Sequence, residues 1–134
     1  MRLAKPGLDL GIVVHDLERS LLFYRDVLML PMRSTLQVPA VGRMALLDVG
    51  NSVLKLLQLD RAIDNEPEPG GLRAGAAGMR YCTFTIDDLD GVVGTCRDAG
   101  YRVGMRPTAM GPGIRVAAIE DPDRNWIELM EDHR

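Results

Sequence analysis

The chain has 134 residues, of which 46% are hydrophobic and 26% charged. This length corresponds to about one domain, since domains usually hold roughly 100–200 residues, and it allows a core without disulfides. Its 16 Lys and Arg residues and 19 Asp and Glu residues give a formal charge of -3. They are scattered along the chain, which excludes the basic stripe that a nucleic-acid backbone requires. We therefore expect a globular protein that does not bind nucleic acid.

Membrane and secretion signals are also missing from the sequence. No apolar run reaches the roughly 18 residues of a membrane helix, and Asp9 and His15 interrupt the first segment before a signal-peptide core can form. Cys82 and Cys96 are too few for a disulfide framework, so we expect reduced thiols in the core. These features favour a cytoplasmic protein without membrane association.

The first predicted strand and helix lie near the N-terminus. Leu8, Leu10, Ile12 and Val14 alternate with less apolar positions as in a half-buried strand. Asp16 follows at a helix N-cap position, and the helical spacing continues through the apolar residues Leu17, Leu21, Tyr24 and Leu28. Pro31 marks the end of this helix, and strand-like runs follow near 31–37, 43–49 and 53–59.

The same pattern recurs about 72 residues later, which identifies an internal repeat. The segment HDLERSLLFYRD at 15–26 aligns with DDLDGVVGTCRD at 87–98, and the same offset places Arg43 on Arg115. In the second copy, a strand at 80–86 precedes an Asp88-capped helix that ends near Gly100. Strand-like runs then follow near 101–106, 114–119 and 126–131.

The repeat predicts an α+β fold built from two βαβββ modules in one domain, residues 1–134. The first module covers 8–59 and the second 80–131. The segment 60–79 is rich in Pro and Gly and shows no clear period, so we interpret it as a linker that can hold a short helix or a lid.

Three segments of the chain resemble one protein family, the vicinal oxygen chelate superfamily. They read LGIVVHDLERSLLFYRDVL, RYCTFTIDDLD and GIRVAAIEDPDRNWIELME. This superfamily contains glyoxalase I, methylmalonyl-CoA epimerase, extradiol dioxygenases and the bleomycin and fosfomycin resistance proteins. The resemblance implies curved mixed sheets that enclose a pocket, with helices on the outer face, commonly in a homodimer.

The resemblance also implies four positions that hold a divalent metal in many members, typically two His and two Glu. Each module supplies one position on its first strand and one on its last. Counting back from the Asp-Leu pair that opens each helix, the first-strand positions are Asp9 and Tyr81, and the last-strand positions are Lys55 and Glu128. A protonated lysine cannot bind a metal and tyrosine is a poor ligand near neutral pH, so we expect a degenerate or absent site. Asp9 and Glu128 with water remain a possible hard-oxygen set, suited to Mg²⁺, Ca²⁺ or Mn²⁺ rather than Zn²⁺.

The residues themselves single out the same positions. Lys55 and Glu128 are charges within otherwise apolar strand-like runs, and an unpaired charge in a strand covered on both faces would cost several kcal/mol. We therefore expect Lys55, Asp9 and Glu128 to face one another or bound water. Lys55 either neutralises a relict metal pocket or acts as a fixed cation for an enolate or oxyanion, while Tyr81 or a carboxylate moves the proton. His15 and His133 are expected on the surface.

Strand parity and the repeat predict an apolar wall beside these charges, made of Trp126, Met130, Val116, Ala118, Met44 and Leu46. The resemblance implies that Met110, beside the turn at 111–113, lies at the pocket mouth. Trp126 can stack on a ligand or pack in the core. Arg43 and Arg115 have the opposite parity, so we expect salt bridges on the helix side or at a module edge.

Two functional classes follow from this pattern. The first is a glyoxalase-like lyase or isomerase that moves a proton on a small oxygenated metabolite. The alternative is a small-molecule or drug-binding protein similar to bleomycin resistance proteins. A dioxygenase is disfavoured because the set of two His and one carboxylate is missing. The resemblance favours a homodimer, and the sequence does not identify the ligand or the cofactor.

Overall fold

The structure, a computed structural model, describes residues 1–134 and contains two compact units, Met1–Glu66 and Pro67–Arg134. The first unit holds strands β1 to β4 and helix α1, with bounds β1 Leu10–Val14, α1 Leu17–Leu21 with a π-helical continuation Leu22–Val27, β2 Met32–Val38, β3 Gly42–Val49 and β4 Ser52–Leu59. The second holds a 3₁₀ turn, strands β5 to β8 and helix α2, with bounds 3₁₀ Gly71–Arg73, β5 Tyr81–Thr85, α2 Leu89–Asp98, β6 Val103–Gly111, β7 Ile114–Glu120 and β8 Trp126–Asp132. The predicted α+β class with two βαβββ modules is confirmed.

Each unit contains a four-stranded mixed sheet. The strand orders are β1-β4-β3-β2 and β5-β8-β7-β6. In each sheet the first strand runs parallel to the last, and the other pairs are antiparallel. No helix of the structure is long and apolar enough to cross a bilayer.

Helix start signals repeat at equivalent positions. The Asp16 carboxylate accepts a hydrogen bond from the Arg19 backbone N–H at 3.0 Å, and Asp88 accepts one from Gly91 at 2.9 Å. Both N-caps are therefore confirmed, and each satisfies a donor that the first helical turn leaves open. Gly100, with φ of +93°, follows the second helix in the left-handed conformation that glycine adopts most readily.

The helix of each unit is tied to its own sheet by an equivalent salt bridge. Arg43 Nη2 lies 2.8 Å from Glu18 Oε1, and Arg115 binds both oxygens of Asp90 at 2.9 Å. The predicted salt-bridging of both arginines is confirmed. Alternate strand residues form the core beneath the helices, including Ala45, Leu47, Leu54, Leu56, Ala117, Ile119, Ile127 and Leu129, all at most 2% exposed.

Three details differ from the sequence-based prediction. Strand β1 begins at Leu10, so Leu8 is 81% exposed and Asp9 precedes the strand. The first helix widens to a π-helix after Leu21, where Phe23 and Tyr24 are both fully buried and meet edge to face at 4.8 Å. Strand β6 is longer than expected, because pairing continues through register shifts as far as Gly111.

Both cysteines are free thiols, as expected. Burial raises the pKa of Cys82 and of Cys96 to about 11. Because the thiolate is the reactive form, both thiols are poor nucleophiles at neutral pH.

A buried carboxylate accepts a hydrogen bond from the first turn of α2, and its charge makes the stability of the fold depend on pH. Glu131 is buried and accepts a hydrogen bond from the Leu89 backbone N–H at 3.1 Å. That bond, with the nearby charges of His133 and Arg115, holds the pKa of Glu131 below its usual range. In the first unit Gln58 occupies this place and accepts from the Leu17 N–H at 2.7 Å.

Glu131→Gln therefore keeps the helix acceptor and removes the charge. A carboxyl whose pKa falls on folding stabilises the folded state above its unfolded pKa, about 4.3, and this contribution disappears as pH falls through the folded pKa. We expect the variant to be less stable than the parent at pH 7, with a difference that closes at acidic pH. Urea unfolding at pH 7, 5 and 3.5 measures this, with Asp98→Asn as an exposed-charge control. A difference that stays constant with pH contradicts the assignment.

Candidate functional site

Lys55 and Asp9 lie together on the sheet of the first unit. Lys55 is in register with Gly11 on one side and Leu46 on the other, and its Nζ is 4.0 Å from Asp9 Oδ2. The side chain is 42% exposed, so the expectation of a strand covered on both faces is corrected here. The charge is half solvated because only the opposite face of this sheet carries the helix.

Asp9 is already well supplied with donors. Its Oδ1 accepts a hydrogen bond from the Val53 backbone N–H at 2.9 Å and also bonds to the Lys5 ammonium. The Lys5 hydrogen bond, followed by the Val53 bond and the charges of Lys5 and Lys55, lowers the pKa of the Asp9 carboxyl. A carboxylate with a lowered pKa is a weak base at neutral pH. Asp9 is therefore suited to be a counter-ion rather than a proton acceptor.

Open space lies over Gly11 on the sheet face that carries Lys55. A Cβ built on Gly11, the register neighbour of Lys55, would have no atom within 4 Å. The same face of the sheet carries several apolar side chains, of which Val13 and Leu36 are exposed and Leu46 and Leu57 partly exposed. At 4.0 Å the Asp9 contact is longer than a hydrogen bond, so the ammonium retains donors for a further oxygen ligand.

Glu128 occupies the corresponding register position of the second unit. It lies between Thr83 and Ala118, as Lys55 lies between Gly11 and Leu46. Thr83 Oγ1 donates a hydrogen bond to Glu128 Oε1 at 2.8 Å, which fixes the orientation of the carboxylate. Sequence reasoning missed Thr83, although its place opposite Glu128 follows from the repeat.

The other predicted site residues of the second unit differ in exposure. Tyr81 is 51% exposed at the start of β5, and Met110 is exposed near the end of β6. Val116 and Ala118 are buried, whereas Met130 is partly exposed. Among the residues predicted to form an apolar wall, these strands therefore present Met130 at the surface beside Glu128.

Trp126 is packed rather than open to a ligand. The side chain is 4% exposed, its indole N–H donates to Glu120 Oε1 at 3.3 Å, and the Arg73 guanidinium lies 5.9 Å from the ring centre. Gly71 and Gly104 approach the ring so closely that a Cβ on either would lie within 3.0 Å of it. Of the two roles considered for Trp126, the structure therefore shows packing in the core rather than stacking on a ligand.

The residues do not fit the family's usual metal set. The charges facing Asp9 come from two lysines, which repel a cation, and Glu128 is bonded to Thr83. His15 is paired with Glu66, and His133 lies 3.4 Å from Glu131. No three His, Cys, Asp or Glu side chains form a group that could hold a metal ion. We derive no chemical step through a metal.

Two βαβββ modules repeat within one chain, and their last strands carry the charged residues Lys55 and Glu128 at equivalent register positions. This architecture defines the class of proteins built from paired βαβββ modules. The model of the Glyoxalase/Bleomycin resistance protein/Dioxygenase superfamily matches residues 8–129. The chain belongs to this superfamily.

Individual relatives agree with this assignment. The uncharacterized protein YraH of Bacillus subtilis (strain 168) is 28% identical over 124 residues, which are 91% of this chain and 94% of YraH. A glyoxalase family protein from Bacillus cereus has the same fold with a TM-score of 0.84 at 17% identity, covering 98% of this chain and 96% of that one. A lactoylglutathione lyase from Agrobacterium tumefaciens is 27% identical with a TM-score of 0.63, covering 92% and 91%.

The close packing of Gly71 against Trp126 predicts how substitutions at glycine change the stability of the fold. Gly71 has φ of +53°, and an added Cβ would lie 2.2 Å from Trp126 Cδ2. Gly75 has φ of +69° with nothing within 4 Å of an added Cβ, so it separates backbone strain from steric overlap. We expect Gly71→Ala to lower the unfolding free energy by about 1–3 kcal/mol more than Gly75→Ala, the usual range for overpacking. Urea denaturation with tryptophan fluorescence tests this, and equal losses in both variants would refute the packing assignment.

Proposed function

We propose that this glyoxalase-superfamily protein binds a small oxygenated anion on the sheet face of its first unit, with the Lys55 ammonium as the group that holds the anionic oxygen. The observation that carries this proposal is the half-exposed Lys55 beside the open space over Gly11. A cation at a position where relatives place a metal ligand supplies a charge for the oxygens of a ligand. Charge-assisted hydrogen bonds of this kind are stronger than hydrogen bonds between neutral groups.

The surroundings of Lys55 define the ligand class. Asp9 partly neutralises the ammonium, and the neighbouring side chains at Val13, Leu46 and Leu57 are apolar. A small carboxylate with a second oxygen and a short apolar body complements this surface. This description covers 2-oxo and 2-hydroxy acids.

Lys55→Met tests the role of the charge. We expect pyruvate and glycolate, as probes, to bind the parent and to bind the variant about tenfold more weakly, since a hydrogen bond to a charged group contributes about 1.5–3 kcal/mol. Ligand-observed NMR titration measures the affinities. Arg61→Met removes an exposed cation from the same unit and is expected to leave binding unchanged.

The substitution Gly11→Thr tests the open space over Gly11 independently of the Lys55 charge. It copies the residue found at the equivalent position, Thr83, and fills the space beside Lys55 without removing a charge. Reduced affinity in both Lys55→Met and Gly11→Thr supports the proposal. Affinity that matches the parent in both variants would reject it.

Proton-transfer catalysis of the lyase or isomerase type is the second candidate, and Glu128 is the residue that favours it. Its carboxylate is partly exposed and is oriented by the Thr83 hydroxyl, which donates to Oε1, and a positioned carboxylate of this kind is a candidate general base. The 27% identity to a lactoylglutathione lyase agrees with this chemistry. Because its pKa is lowered, Asp9 does not compete for the role.

Deuterium exchange at the carbon beside the carbonyl of hydroxyacetone tests this candidate. We expect the parent to accelerate exchange in D₂O and Glu128→Gln to lose about 100-fold or more, in line with usual general-base contributions. Asp132→Asn is the control, because Asp132 lies on the same strand but is held by Arg134 at 2.8 Å. Saturable binding without exchange in the parent would reject catalysis and leave the binding function.

A further inference from the structure

A groove lies on the helix side of the second unit, away from the sheet face that carries Glu128. It has a volume of about 670 Å³, within the range of roughly 300–1,000 Å³ typical of ligand pockets. Helix α2 and the segment through the start of β6 form its walls, and its lining residues are Asp90, Val93, Gly94, Arg97, Tyr101, Val103, Arg106 and Pro107. No part of the proposed function uses these residues.

The groove includes one helix position at which the two repeats differ. Residues 90, 93, 94 and 97 follow the spacing of a single helix face, and their equivalents in the first unit are Glu18, Leu21, Leu22 and Arg25. Gly94 therefore stands where the first unit has Leu22. A Cβ built on Gly94 would meet only Arg97 Nη2, at 3.8 Å, so the wall of the groove is open at this position.

A β-bulge shapes the opposite wall. Met105 pairs with Ala118 and Thr108 pairs with Val116, so three steps along β6 oppose two along β7. The extra residue falls at Arg106-Pro107, both of which line the groove. Bulges redirect side chains and are common beside functional sites, and Pro107 requires no ladder partner for its nitrogen.

The charges of the groove favour an anion. Arg115 already holds Asp90 through two hydrogen bonds, and Arg97 is paired with Asp98 at 3.0 Å. Arg106 lies in the same groove with no acidic partner for its guanidinium. A guanidinium is suited to bind a carboxylate through two parallel hydrogen bonds.

The geometry points to a second ligand site in this groove, for an organic carboxylate whose flat apolar body lies along Val93, Val103 and Pro107 beside the Tyr101 ring, while Arg106 binds the carboxylate. The lining combines apolar residues with charged ones, which suits a ligand that has an apolar body and a charged end. This site is separate from Lys55, so its occupation does not depend on the proposed function.

The test uses 2-naphthoate as the probe, with 2-naphthamide as its neutral analogue and inorganic phosphate as an anion without an apolar body. We expect calorimetry of the full chain to show one saturable naphthoate site, with much weaker binding of the other two compounds. Equal binding of naphthamide would overturn the role of the anion, and phosphate binding as tight as naphthoate binding would overturn the role of the apolar walls.

Gly94→Leu restores the residue of the first unit and fills the groove. Leucine is a better helix former than glycine, and a Cβ at this position meets only Arg97 Nη2, at 3.8 Å, so the fold is expected to persist. We expect this variant to abolish naphthoate binding and Arg106→Met to weaken it about tenfold. Arg19→Met, on the exposed face of the first helix, is the matched control and is expected to bind like the parent.

Lys55→Met separates this site from the proposed one. Naphthoate binding that survives Lys55→Met and is lost in Gly94→Leu supports the groove, whatever the outcome for pyruvate and glycolate. Binding that is lost in Lys55→Met and retained in Gly94→Leu places the probe at Lys55 and overturns the groove site. Unchanged affinity in both Gly94→Leu and Arg106→Met overturns it as well.

Discussion

The pairing of the first strand with the last, in parallel, is the constraint on which both candidate positions depend. It sets Lys55 beside Gly11 in one unit and Glu128 beside Thr83 in the other. Because side chains alternate along a strand, a helix packed on one face commits every second residue to the core. The residues between them lie on the opposite face, where Lys55 and Glu128 are partly exposed while some neighbours, such as Ala118, are buried. A register slip of one residue would exchange these two sets and bury Lys55 and Glu128.

Much of this arrangement could be predicted from the sequence, because the same pattern of strands and helix occurs in both repeats. The N-caps at Asp16 and Asp88 and the bridges from Arg43 and Arg115 are local or parity-determined features, and each prediction was confirmed. Strand ends were less predictable. Leu8 continues the alternating pattern but makes no ladder contact, and the bulges of β6 have no marker in the sequence except Pro107.

The candidate site was only partly predictable, for physical reasons. The family resemblance identified Lys55 and Asp9, with support from the charge of Lys55 within an apolar run, and the structure places them 4.0 Å apart. The role of Lys5 as the main partner of Asp9 depends on side-chain rotamers near the start of β1, which no periodicity encodes. Trp126 had suitable strand parity for a ligand contact. Its burial depends on Gly71 and Gly104, which lie at distant points of the sequence.

Differences between the two repeats carry more functional information than their similarities. Positions that maintain the fold keep the same chemistry in both copies, as do the capping aspartates and the helix-to-sheet salt bridges. Lys55 and Glu128 carry opposite charges at one register position, and a residue that served only packing would have no need of either. Gly94 and Leu22 also differ at one helix position, and Gly94 lines the groove that contains Arg106. The two units therefore share one scaffold and differ in residues on the sheet face and on the helix side, which is how one fold acquires different ligands.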